Sequence, residues 1–121
     1  MWVPVLALII GLLIGFLSRL SIPAAYADYL AISLLAALDS VFGGIRAGLS
    51  HTFEVRVFIS GFFTNTLLAA LLTYFGSHLG VDLMLPASVA FGIRIFQNLG
   101  IIRNLLLNRA LARTPSPPTA L

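Results

Sequence analysis

An apolar run from Val3 to Leu17 opens the chain, and three more long apolar stretches follow it with only short polar punctuation between them. Runs of this length, without the alternation of a half-buried strand, predict helices. They approach the roughly 20 residues that a helix needs to cross a bilayer. Breakers and polar clusters place the helices at 3–18, 24–48, 57–75 and 84–107. Ser21-Ile22-Pro23 separates the first two, since a residue before proline is pushed out of the helical region. Ser50, His51, Glu54 and Arg56 mark a polar loop after the second helix, and Gly76 to Asp82 reads as the turn before the fourth. The second run is the least uniform: Asp39, Ser40, Gly43-Gly44 and Arg46 fall in its later half, which predicts a bend or partial unwinding.

The predicted fold class is all-α, an integral membrane bundle of four hydrophobic helices, or three spans if the second helix is re-entrant. Residues 1–109 form the membrane-embedded domain. Residues 110–121, rich in Pro, Ser and Thr, read as a disordered tail. Ala25-Tyr26-Ala27 before Asp28 resembles a signal-peptidase site, but no basic segment precedes the first run and Arg19 stands between the run and the site. The first run is therefore expected to be a retained helix, with Trp2 as an interfacial anchor.

Composition supports the same solvent. Of the 121 residues, 60% are hydrophobic and 9% charged, against about 25% charged in soluble domains. The net charge of +3 does not point to nucleic acid, because the seven basic residues, all arginine, are scattered singly among apolar runs. Their distribution predicts orientation. Arg103, Arg109 and Arg113 lie near the C-terminus, Arg46 and Arg56 flank the central loop, and the loop before the fourth helix has none. With the positive-inside rule this predicts both termini in the cytoplasm of a bacterial inner-membrane protein, with Arg19 the outlier.

The candidate chemistry is polar and intramembrane. An uncompensated charge at mid-bilayer costs about 2.5–3.5 kcal/mol even on the lenient insertion scale, so Asp39 needs a partner. Arg94 is the expected one, because the second and fourth helices run the same way and both residues fall in the middle third. Gln97 and Asn98 follow Arg94 at helical spacing, Arg46 shares a face with Asp39, and Asn65 on the third helix is placed to join. The cluster Asp39, Arg46, Asn65, Arg94, Gln97 and Asn98 is either a self-satisfied packing core or an ion or proton path. Two small-residue stripes, Gly11 and Gly15 (with Ala7) and Ser40, Gly44 and Gly48 (with Ala36), predict close helix packing, within the bundle or between protomers. His51 and Glu54 are too few for a metal site, and no serine has a histidine and acid at triad spacing. No catalytic residue, cofactor or metal is expected. The expected partners are the lipid bilayer and either a second copy or another membrane protein.

Several segments carry a family resemblance. Met1-Trp2-Val3-Pro4, Ile22-Pro23-Ala24-Ala25-Tyr26-Ala27, Ala36-Ala37-Leu38-Asp39-Ser40-Val41-Phe42-Gly43-Gly44-Ile45-Arg46-Ala47, Phe58-Ile59-Ser60-Gly61-Phe62-Phe63 with Asn65, and Arg94-Ile95-Phe96-Gln97-Asn98-Leu99 with Ile102-Arg103 occur in order. Over about residues 1–107 the chain resembles the bacterial "small basic protein" family. The resemblance implies a small multi-span membrane protein of uncharacterised activity, often encoded beside cell-division and envelope genes. It supplies no catalytic residue. The expectation is a non-enzymatic assembly or scaffold component of the envelope or division machinery; the alternative is a small oligomeric channel or transporter subunit.

Overall fold

The computed structural model describes residues 2–114. They form four helices: α1 (Trp2–Leu17), α2 (Ala27–Leu49), α3 (Val55–Leu79) and α4 (Met84–Ala112), with a 3-10 turn (Ala24–Tyr26) leading into α2. The all-α bundle expected from the apolar runs is what the chain builds, and three of its helices are long and apolar enough to cross a membrane. The fourth, α1, has 16 residues and a length of about 24 Å, short of a hydrocarbon core of about 30 Å.

The structure differs from the expectation in four places. Asp39 to Arg46 neither bends nor unwinds α2, which is one regular helix of 23 residues. Its small residues there are packed by neighbouring helices, so their weak helix preference is overridden. The short helix is α1, not α2, and the structure shows no re-entrant break in α2. The turn expected at Gly76 begins four residues later, at Gly80, which takes the left-handed conformation with φ +69°. Gly76 stays helical and lies under the turn, where an added Cβ would sit 2.6 Å from the Val81 carbonyl oxygen. At the other end α4 continues to Ala112, so residues 110–112 are helix rather than tail. The rest of the expected disordered tail, 115–121, lies outside the described residues.

Helix α2 is the central element, packed against α3 on one side and α4 on another, while α1 leans on α2 and α3 and α4 touch little. Ile32, Ala36, Ala69 and Phe91 form the buried apolar core, with Leu35, Met84 and Ala87 against it. Most large apolar side chains point outward instead, among them Leu12, Phe16, Leu67 and Phe96. Lipid tolerates that surface and water does not. Buried hydroxyls are satisfied within their own helices: Ser40 Oγ donates to the Ala36 carbonyl and Thr73 Oγ1 to that of Ala69.

The helix ends are closed by specific contacts. Asp82 Oδ1 accepts from the Leu85 amide at the start of α4. At the end of α2, the Thr52 amide donates to the Ala47 carbonyl and the His51 amide to that of Gly48. This is a Schellman closure, a position usually taken by glycine. Here His51 holds it with φ +58°, a conformation that costs a side-chain-bearing residue about 1–2 kcal/mol.

Helix α1 runs antiparallel to α2, with Pro4 buried against Gly44 near the end of α2 where the arginines gather. Both described termini therefore lie at this basic end. Gly44 is where α1, α2 and α3 come closest: a Cβ there would meet Pro4 Cγ and Phe58 Cδ2 at 2.9 Å each. Gly11 and Gly15 differ, because a Cβ on either meets nothing within 4 Å. The α1 stripe is thus not a packing seam within the bundle. The two stripes should respond oppositely to substitution. Gly44→Ala is expected to lose about 1–3 kcal/mol by overpacking, read as a lower melting temperature in detergent. Gly11→Ala and Gly15→Ala are expected to leave it within about 1 kcal/mol.

A polar seam between the central helix and its neighbours

The seam starts from Asp39, in the middle of α2 and 0% exposed. Arg94 on α4 brings Nη2 to 3.2 Å from Asp39 Oδ2, with its side chain 57% exposed. The contact is an ion pair by distance, yet neither carboxylate oxygen receives an aligned hydrogen bond. Two turns further along α2, Arg46 Nη1 donates to Asn98 Oδ1 at 3.2 Å. At the helix end Arg109 Nη2 donates to the Leu49 carbonyl at 2.6 Å and approaches His51 Nε2 at 3.2 Å. Arginine offers only donors, so Nε2 is the acceptor in that contact. The three contacts follow one another in the same order along both helices, which fixes α2 and α4 as parallel neighbours.

On the side of α2 toward α3, Asn65 donates through Nδ2 to Ser40 Oγ at 3.3 Å. Ser40 Oγ in turn donates a hydrogen bond to the Ala36 carbonyl. Asn65 and Ser40 line a cavity of about 190 Å³ together with Asp39, Glu54 and Arg94. A second cavity, of about 420 Å³, is lined by Arg46, Ser50, Thr52, Arg94, Gln97 and Asn98. Arg94 and Thr52 belong to both walls.

The six residues expected to cluster are therefore near one another but divided. Asp39 and Asn65 face the smaller space; Arg46, Gln97 and Asn98 face the larger, and Arg94 stands between. Asp39 and Arg46, seven residues apart on one face, each take a different partner on α4. Asn98 is buried against α2, whereas Gln97 is exposed and makes no hydrogen bond within the described residues. Of the packing residues, Ser40 and Gly44 touch neighbouring helices, Gly48 is half-buried, and Gly11 and Gly15 are open. The sequence reading missed Arg109. Its signal was present in the spacing, since Arg94, Asn98 and Arg109 recur on one helical face at intervals of 4 and 11. The polar residues of this loop, Ser50, Thr52 and Glu54, also line the cavities. Among the described residues, no three His, Cys, Asp or Glu side chains come together to hold a metal.

The chain has relatives among known proteins. Residues 22–107 match the family described as "Protein of unknown function (DUF1290)". A relative named "Small basic protein" from Bacillus subtilis (strain 168) is 51% identical over 109 residues, covering 90% of each chain. The chain belongs to the small basic protein family. Other members of similar length include uncharacterized proteins of Mycobacterium tuberculosis and Mycobacterium bovis, each 42% identical over 102 residues, or 83% of this chain and 84% of theirs. No solved structure matches. The matched region of the small basic protein family contains the whole α2–α4 seam up to residue 107 and omits α1.

Removing Arg94 leaves the buried Asp39 without its counter-charge, which makes the α2–α4 link testable by a double-mutant cycle. Asp39→Ala and Arg94→Ala are each expected to lower the melting temperature in detergent. The double variant should lose less than the sum, with a coupling of about 1–3 kcal/mol. Additive losses would mean that the pair does not hold the helices together.

Proposed function

We propose that the chain is a non-enzymatic assembly component of the bacterial cell membrane that associates with a membrane partner through α1. One observation carries this reading. Of α1 only Pro4 is buried; a Cβ on Gly11 or Gly15 would meet nothing within 4 Å, and an apolar cavity of about 380 Å³, which Gly11 also lines, separates Ala7 and Leu8 from Leu38 and Phe62. A helix that lipid gives no hydrophobic reason to dock, with a smooth exposed face, suits contact with another transmembrane helix. Asp39, Ser40, Asn65 and Asn98 are engaged in contacts between α2 and its neighbours α3 and α4, which favours assembly over catalysis. Arg46, Arg56, Arg103, Arg109 and Arg113 collect at the end shared by both termini, which supports a cytoplasmic location for that end. The family resemblance supports an envelope or division setting by gene neighbourhood alone.

The chain has no cysteine, so a single introduced one reports one contact. Leu12→Cys and Phe16→Cys on α1 are expected to crosslink in native membranes to a second copy or to one defined protein, whereas Phe96→Cys on the lipid-facing side of α4 should not. Equal, background crosslinking at all three positions would sink the reading.

A second reading, a polar path across the membrane, rests on Asp39, whose buried carboxylate accepts no hydrogen bond among the described residues and lines the smaller cavity, which shares Arg94 with the larger. It requires that the protein in sealed liposomes pass a proton or ion and that Asp39→Asn change the flux at least about tenfold, by analogy with the differential cost of charging that site. Sealed vesicles without flux in either pH direction would end it.

A further inference from the structure

The larger cavity of the seam is lined by donors in excess of acceptors. Arg46 and Arg94 each contribute a guanidinium, and each spends only part of it inside the protein, on Asn98 Oδ1 and on Asp39 Oδ2. Asn98 is 7% exposed; its oxygen is taken by Arg46, which leaves its amide nitrogen without an acceptor among the described residues. Gln97 and Ser50 also make no side-chain hydrogen bond among the described residues, and Arg46, Arg94, Asn98, Gln97 and Ser50 all line the same space with Thr52. Among the described residues no carboxylate lines it: Asp39 and Glu54 belong to the smaller neighbour.

A helix C-terminus would ordinarily oppose an anion at this place, since the last turn of carbonyls carries the negative end of the dipole. The end of α2 has lost most of that opposition. Its last four carbonyls, those of Arg46, Ala47, Gly48 and Leu49, accept from Ser50, Thr52, His51 and Arg109 respectively. Among the described residues the Arg46 guanidinium has no carboxylate within ion-pair distance, and its Cα lies about 4.5 Å short of the helix end. In a membrane-spanning chain that is the depth at which hydrocarbon gives way to polar headgroups. A fork of two guanidiniums backed by amide donors matches the oxygens of a phosphate.

We propose that the cleft formed by Arg46, Arg94, Gln97 and Asn98 binds a phosphate oxyanion, presented by a phospholipid headgroup or as free phosphate. This goes beyond the assembly reading and does not depend on what docks on α1. A headgroup held there would join α2 to α4 through Arg46 and Arg94, adding to the contacts made by Asn98 and Asp39.

The test uses the full chain in phosphatidylcholine nanodiscs containing a minority of phosphatidylglycerol, with bound lipid counted by native mass spectrometry. A parallel sample in zwitterionic detergent is titrated with inorganic phosphate and followed by melting temperature. Retention of phosphatidylglycerol over phosphatidylcholine, reduced about tenfold by Arg46→Gln, is the expected result, as for loss of one charge-assisted hydrogen bond. Arg113→Gln removes the same charge from the same end outside the cleft and should change nothing. Gln97→Glu breaks no bond within the described residues and should abolish retention with the melting temperature of the lipid-free protein unchanged. Stabilisation by inorganic phosphate that is lost in the same two variants would assign the site to free phosphate; retention of lipid alone would assign it to a headgroup. The proposal is overturned if neither probe binds, or if Arg113→Gln and Arg46→Gln weaken binding equally, which is the mark of diffuse surface charge.

Discussion

A carboxylate with no exposed surface, in the middle of the central helix, is the constraint around which the bundle is arranged. Asp39 cannot face lipid without a cost of several kcal/mol, so α4 must run beside α2 in the one register that brings Arg94 to it. Once that register is set, Asn98 comes level with Arg46 and Arg109 reaches the Leu49 carbonyl. Apolar burial has little leverage here, because lipid chains and leucine side chains are equivalent surroundings. The buried apolar core is small, centred on Ile32, Ala36, Ala69 and Phe91, and it locates α3 and α4 around α2 without determining their register as sharply as the polar contacts do.

Much of this was legible in the sequence for a physical reason: a lone acid in a long apolar run demands a base, and few bases lie at matching depth. The number of helices followed from apolar run length. What escaped the reading was whatever depends on which faces meet. Gly43-Gly44 looks like a weak point of α2 in isolation, yet Gly44 is small because Pro4 and Phe58 press against it, and that contact spans residues 40 and 14 positions away. Gly11 and Gly15 have the same spacing signature, yet a Cβ on either would meet nothing within 4 Å. Pattern alone cannot separate a stripe that is used inside the chain from one that is not. Arg109 was read as a topology signal near the tail because charge distribution and helical periodicity make different uses of the same residue.

Helix α1 stands apart from this logic. No ion pair or side-chain hydrogen bond among the described residues ties it to the rest, and its only interhelical anchor of full burial is Pro4. Its 16 residues fall short of the bilayer core, while α2, α3 and α4 exceed the length needed. A short helix beside longer ones is left with local thinning of the bilayer, or with a neighbour that covers its ends. The gap between α1 and the pair α2 and α3 is apolar, so a small inward or outward shift of α1 exposes no unsatisfied polar group. The α2–α4 contact lacks that freedom, since displacing α4 by one residue breaks three polar contacts at once.

Rigidity and availability are thus assigned to different faces of the central helix. The face of α2 toward α4 is fixed by arginines, and arginine suits the task because each guanidinium can hold one partner on the neighbouring helix and still present further N–H groups outward. Arg94 does this most clearly: it reaches Asp39 with one nitrogen while more than half of its side chain remains accessible. A lysine in the same position would place its single charged nitrogen against the carboxylate and have no second limb to offer. The consequence is that the contacts that lock α2 to α4 also create a donor-rich surface beside them, so structural satisfaction and the capacity to bind an anion arise from the same side chains. The face toward α1 has no such dual use, and what occupies it is set by shape alone.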